Sequence, residues 1–233
     1  MPEFVQVNFG RPMPLFPLPD TVLLPHAVLP LHIFEPRYQQ MVQDVLDSSG
    51  QIAMASFNDK DWKAHYHGSP PLRPAVCVGQ IVQHEAMDDG RHNILLHGVC
   101  RAKIKQLVEA DGDHPYRMAR LTPLEQVEQT PPPMNDVRND LRVLLKSPRL
   151  AKMRSVETVV QWFDRKEVTT HALLELIGFA LMHDTELKYQ LLQEASPLER
   201  AKLIKRELHN LEHLVQAAER QGYKDWPKGM SWN

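Results

Sequence analysis

Histidines are the residues of this sequence with the clearest capacity for chemistry. His65 and His67 lie two positions apart, and His84, His92 and His97 follow further along the chain. Imidazoles two apart on a strand point to one face, where they could share a transition metal. Because no cysteine or carboxylate stands at a recognisable ligand spacing from them, ordinary surface histidines are the better interpretation. We therefore predict no metal site and no cofactor.

Acid–base, nucleophilic and phosphate-binding chemistry have no sequence support either. Glu35 and Arg37 could be mistaken for an acid–base pair, but a carboxylate just before a helix is favoured by the helix dipole, and Arg37 can reach a carbonyl or carboxylate. No serine or cysteine shares a nucleophile motif with a histidine and a carboxylate. A phosphate loop needs a Gly-Lys pair, and the sequence contains none. We predict no catalytic residue.

Residues 14 to 38 contain a run of prolines that separate short apolar stretches. Proline lacks an N–H and fixes φ, so this run suits short edge strands broken by turns. Pro36 then stands where a first helical residue tolerates proline, and Ser48 to Gly50 ends the predicted helix. The predicted buried face of that helix consists of Tyr38, Met41, Val42, Val45 and Leu46.

Strand-length apolar runs follow up to about Val127, and helical periods follow after that. Turn pairs such as Asp89-Gly90 and Asp111-Gly112 separate the strands, which predicts antiparallel sheet. The range 58–74 is polar and is predicted to be a long loop. Three prolines at 131–133 mark a boundary, and a capping box at Ser196 with Pro197 starts a last helix that we expect to end at Gly222. Its apolar stripe could pack within the chain or pair with another chain.

The order of these segments resembles a known family. The proline run and the HIFEPRY stretch are followed by Gly79 at the head of a strand, by the Asp89-Gly90-Arg91 turn, and by a strand with central Gly98 and then Arg101. A helical segment at 187–200 follows. In this order the segments resemble the N-terminal domain of Lon proteases, in its stand-alone bacterial form. The Lon ATPase module and the serine–lysine protease module have no counterpart in the sequence, so the resemblance supports neither activity.

The resemblance implies a fold and a division of the chain. We expect an α+β protein, with a PUA-like β pseudo-barrel that contains one inserted helix and spans residues 1–129. A helical bundle is expected at 134–222, followed by an aromatic tail at 223–233 that holds Tyr223, Trp226 and Trp232.

The composition of the chain limits its expected cellular location and its classes of binding partner. The chain has 233 residues, of which 42% are hydrophobic, and its net charge of -2 with a pI near 6.6 gives no general attraction to nucleic acid or anionic lipid. Cys77 and Cys100 lie in apolar runs and are expected to be buried thiols. No apolar run approaches the length of a membrane span, and the N-terminus lacks the order of a signal peptide, so we expect a cytoplasmic protein.

Three functions from different classes remain open. The resemblance favours a non-catalytic module that recognises unfolded or tagged polypeptides, or another protein partner, in proteolysis. RNA binding by a PUA-like domain is the alternative, although few basic residues alternate with aromatics. A small-molecule enzyme has only the histidines in its favour. The candidate contact residues are the aromatics of the polar loop, three residues of HIFEPRY and the arginine after Gly98: Trp62, Tyr66, His32, Phe34, Arg37 and Arg101.

Overall fold

The computed structural model describes residues 5–58, 62, 69–125 and 134–220. Contacts divide the chain into two units, of which one is Met1–Pro131 with Met182–Ser196 and the other is Pro132–Leu181 with Pro197–Asn233. No helix in the described part of the chain is long and apolar enough to cross a membrane. The strands are β1 (Met13–Leu18), β2 (Val28–Ile33), β3 (Gln51–Ser56), β4 (Ala75–Ala86), β5 (His92–Val108) and β6 (Met118–Pro123). The helices are α1 (Pro36–Leu46), α2 (Asn135–Leu145), α3 (Arg154–Trp162), α4 (Thr170–Leu181), α5 (Thr185–Gln193) and α6 (Pro197–Arg220).

The strands of the first unit form one sheet in the order β2-β5-β4-β3-β1-β6. The β1–β3 pair is parallel and the other pairs are antiparallel, which agrees with the predicted antiparallel sheet except at β1. β6 also pairs with β5, so strand pairing runs from β5 through β4, β3, β1 and β6 back to β5. Within the described ranges β2 pairs with β5 alone, which makes it an edge strand.

Helix α1 begins at Pro36 as predicted, because proline needs no hydrogen-bond acceptor in the first turn. Tyr38, Met41, Val42 and Val45 are buried, but Leu46 is 39% exposed, so its assignment to the buried face is wrong. The helix ends where Gly50, at φ +67°, donates its N–H to the Val45 carbonyl at 2.7 Å.

Gly98 allows a second backbone segment to cross β5 at close range. A Cβ at this position would lie 2.2 Å from the Leu24 carbonyl oxygen. The Gly98 N–H donates to the Ala27 carbonyl at 2.8 Å, and the Gly98 carbonyl accepts from the His26 N–H at 2.8 Å. These bonds fix the turn that leads into β2, so the glycine noticed in the sequence positions the edge strand.

Helix α5 belongs to the sheet unit, although it lies between two helices of the other unit in sequence. The Tyr189 hydroxyl accepts a hydrogen bond from the Ala75 N–H at 2.9 Å, and the Arg73 guanidinium lies over the Tyr189 ring at 3.3 Å. Arg73 also pairs with Glu186 at 2.6 Å. The sequence-based division places this helix in the bundle, whereas contacts group Met182–Ser196 with the sheet.

The second unit is built from α2, α3, α4 and α6, whose buried positions follow the predicted helical periods. Leu141 and Leu145 of α2 and Ile204 and Leu208 of α6 are buried. A buried ion pair joins Arg200 Nε to Glu175 Oε1 at 3.1 Å. The predicted end of α6 at Gly222 and the aromatic tail lie outside the described residues.

Both cysteines are free thiols within strands. Cys77 is buried and Cys100 is partly buried, so the expected burial holds fully for Cys77 alone. Burial raises the pKa of the Cys100 thiol to about 11, which keeps it protonated and unreactive at neutral pH.

We predict that Gly98→Ala lowers the free energy of unfolding by about 2–3 kcal/mol, because the new methyl group displaces the Leu24 carbonyl. Gly112→Ala is the matched control, since a Cβ there meets nothing within 4 Å. Urea titration of both variants measures the difference. Equal stability of the two variants would contradict the close crossing.

Candidate functional site

One face of β2 is exposed along its whole length. Val28, Pro30 and His32 are exposed, and Phe34 continues the same alternation beyond the strand. The intervening residues are partly or fully buried, ending with Ile33 at 1% exposure. An edge strand with this alternation buries one face in its own unit and presents the other to solvent.

The register extends this exposed face across two more strands. On β5 the partners of Val28, Pro30 and His32 are the odd-numbered residues from 93 to 97, and β4 contributes the residues paired with those. We call this surface the outer face. It consists of Val28, Pro30, His32 and Phe34, of Asn93, Leu95 and His97, and of Gln80, Gln83 and Glu85.

Three large apolar side chains are exposed on or beside the outer face. Phe34 is 62% exposed and Val28 is 45% exposed. Val82 is 57% exposed at the register shift between Ile81 and Gln83, immediately beside the outer face. Exposed large apolar side chains that lie together mark interaction surfaces more often than single ones do.

A hydrogen-bonded row of polar side chains crosses the same three strands. His32 Nδ1 lies 2.8 Å from the Asn93 side-chain oxygen, and the Asn93 amide donates to Glu85 at 3.1 Å. Arg91 Nη1 lies 3.4 Å from His32 Nε2. A neutral imidazole with its proton on Nδ1 satisfies both contacts. The His32 ring stacks on Phe34 with centroids 6.3 Å apart.

Pro30 limits what the open edge of β2 can bind. A proline in a strand that pairs on one side places its nitrogen toward the open side, where no ladder bond is lost. The open edge therefore lacks an N–H donor midway along β2. A long ladder with an added strand is therefore disfavoured at this edge.

Two histidines of the β4–β5 hairpin contact each other on the opposite side of the sheet. His84 Nε2 lies 2.9 Å from His92 Nδ1, and His92 is buried. Burial, with a smaller contribution from His84, lowers the pKa of His92. Among the described residues no group of three or more His, Cys, Asp or Glu side chains could hold a metal ion. His65 and His67 lie outside the described residues.

The structure brings two of the candidate contact residues together, His32 and Phe34. Arg37 pairs with Glu35 at 3.0 Å and lies over the Tyr38 ring at 4.6 Å. Trp62 stacks on Phe57 with centroids 5.1 Å apart. Tyr66 lies outside the described residues.

Arg101 is buried and serves the interior of the sheet unit. Its side chain is 1% exposed; Nε and Nη2 donate to the Leu191 carbonyl at 3.3 and 3.2 Å, and Nη1 pairs with Glu125 at 3.3 Å. Arg101 therefore holds α5 against the sheet and does not lie on a contact surface. The sequence interpretation also missed Val28, Val82, Glu85 and Asn93, which only the register brings together.

A family model described as the ATP-dependent protease La (LON) substrate-binding domain matches residues 12–210. The chain belongs to this family. The Lon protease of Desulfosudis oleivorans is 24% identical over 205 residues, which are 87% of this chain and 24% of that protease. The Lon protease of Haemophilus influenzae is 29% identical over 119 residues, or 51% of this chain and 14% of that protease. The chain thus spans a quarter or less of these relatives.

Solved structures show the same fold. The N-terminal domain of a Mycobacterium avium complex Lon protease matches with a TM-score of 0.66 at 18% identity and covers 85% of this chain and 98% of its own. A Lon N-terminal domain protein from Xanthomonas campestris matches with a TM-score of 0.59 at 19% identity and covers 84% and 98%. The predicted family and the mixed α+β fold of a sheet with C-terminal helices are confirmed.

We predict that Arg101→Met lowers the free energy of unfolding by about 2–3 kcal/mol, because the Leu191 carbonyl loses its buried donors. Arg120→Met on neighbouring β6 is the control, since Arg120 is exposed. Guanidinium titration compares the two. A loss below about 0.5 kcal/mol for Arg101→Met would show that other contacts hold α5 against the sheet.

We predict that the sheet unit loses stability as the pH falls below about 6.5, the ordinary histidine value. The folded-state pKa of His92 is lowered, so the unfolded chain binds the proton first and acid favours unfolding. His92→Gln should flatten the pH dependence of the unfolding free energy between about pH 7 and 5. His97→Gln should act in the same direction, because burial lowers that pKa too. Slopes unchanged in both variants would contradict this account.

Proposed function

We propose that this protein binds polypeptides in extended or unfolded form through the outer face and catalyses no reaction on them. Membership of the Lon substrate-binding family supports a role in substrate recognition. The observation that carries the proposal is the outer face, on which Phe34 and Val28 are exposed and immediately beside which Val82 is exposed. A folded protein buries its own apolar side chains, so such a surface favours chains that expose theirs.

The strand geometry suits an extended ligand. Residues on the outer face repeat at every second position of β2 and β5, and on β4 they do so after the register shift between Ile81 and Gln83. An extended chain presents its side chains with the same period of two. Because Pro30 removes a donor from the edge, we infer that side-chain contacts supply most of the affinity and backbone pairing supplies little.

The proposal also includes the barrel-like form of the sheet, the division of the chain into domains and the cellular location. Strand pairing that returns to β5 supports the interpretation of the sheet as a PUA-like pseudo-barrel. We propose the divisions 1–129, 134–222 and 223–233, with Met182–Ser196 grouped with the sheet, and a cytoplasmic location. We further propose that the bound polypeptides are substrates of proteolysis, since the matching family is the substrate-binding domain of a protease.

The test uses a fluorescent, permanently unfolded polypeptide and fluorescence anisotropy. We predict that Phe34→Ser together with Val82→Ser weakens its binding about tenfold or more, because each change removes apolar area from the contact. Val143→Ser is the matched control: Val143 is 74% exposed but lies on α2 in the other unit. Thermal unfolding of all variants should be unchanged within a few degrees.

Several outcomes would overturn the proposal. Equal weakening by Val143→Ser, or equally tight binding of a folded protein, would show that the outer face is not the binding surface for unfolded polypeptides. ATP hydrolysis or peptide cleavage by the purified chain would contradict a non-catalytic function. Salt-sensitive binding of single-stranded RNA that exceeds polypeptide binding would favour the PUA-like alternative.

A further inference from the structure

Glu85 is a carboxylate held in place on the outer face. Its Oε2 accepts a hydrogen bond from the Asn93 amide at 3.1 Å, and Asn93 is itself bound to His32 at 2.8 Å. The three side chains lie in one row across β4, β5 and β2. A charged group whose position is fixed before binding loses little conformational freedom when a partner arrives.

The surrounding charges leave an excess of negative charge at this end of the sheet. The β4–β5 hairpin carries Glu85, Asp88 and Asp89 against Arg91 alone. Asp89 is engaged by Arg91, whose Nε lies 2.6 Å from Oδ2. Within the described part of the chain no cation pairs with Glu85 or Asp88.

Phe34 supplies an aromatic face at the β2 end of the same row. Its ring is 62% exposed and stacks on His32. Among the described side chains no guanidinium or ammonium lies over it. Neighbouring strands lie about 4.8 Å apart, so Glu85 and the β2 end of the row are separated by about 10 Å. A long basic side chain can cross that distance with its methylene groups on apolar surface.

We propose that the outer face selects apolar polypeptide segments that carry a lysine or arginine, whose cation pairs with the Glu85 carboxylate while its methylene groups extend along the row toward the Phe34 ring. This inference rests on the proposed function and adds a charge preference to it. The carboxylate provides an ion pair, the exposed ring provides apolar surface for the methylene groups, and the neighbouring apolar side chains contact the rest of the segment. A segment with an acidic residue in the same place meets repulsion from Glu85 and Asp88.

The experiment compares three sets of short labelled apolar peptides that differ at one position, which holds lysine, norleucine or glutamate. The position is moved along the peptide from one end to the other. At low salt we expect the best lysine peptide to bind about fivefold more tightly than its norleucine counterpart, and the glutamate peptide to bind less tightly than both. Glu85→Gln should abolish the lysine preference. Glu157→Gln, which removes an exposed carboxylate from α3 in the other unit, should preserve it.

The outcomes separate this inference from the proposed function. If norleucine and lysine peptides bind equally at every position, the charge preference is wrong while polypeptide binding stands. If no apolar peptide binds, the proposed function itself fails. A lysine preference that persists in Glu85→Gln would assign the cation to another group, and a preference unchanged at about 0.5 M salt would contradict an electrostatic origin.

Discussion

The sharing of β5 between two partners on one edge is the constraint on which the rest of the sheet unit depends. β5 pairs with β4 along one edge, while β2 takes the first half of its other edge and β6 takes the second half. Gly98 and Arg101 stand where one partner gives way to the other. Gly98 admits the Leu24–Ala27 turn, and Arg101 holds the Leu191 carbonyl. This arrangement leaves β2 as an edge strand whose exposed side is the outer face.

The same arrangement explains why exposed and buried residues alternate within one motif. Within HIFEPRY, Ile33 and Tyr38 are buried and support the unit, while His32 and Phe34 point away from it and remain exposed. Glu35 and Arg37 pair with each other at the helix start. A period of two in the strand and of 3.6 in the helix separates the exposed residues from the buried ones.

Local patterns predicted local structure well. The start of α1 at Pro36, the hairpin at Asp89-Gly90 and the start of α6 at Pro197 each depend on residues that are neighbours in sequence, and the structure has all of them. The contacts of Arg101 and Glu85 could not be predicted from neighbouring residues in the sequence. The partner of Arg101 lies on α5, far along the chain, and the row of Glu85 with Asn93 and His32 exists only through the strand register. Leu46 fits the helical period, but the last turn of α1 leaves it exposed.

Hydrogen–deuterium exchange with and without an unfolded polypeptide tests the central claim most directly, because it reports every backbone amide of the intact chain at once. Binding at the outer face predicts slower exchange in residues 26–34 and 80–97 and unchanged exchange in α2, α3 and α4. Slower exchange confined to the helices of the second unit, or spread evenly over both units, would contradict the claim that β2 and its neighbours form the contact surface.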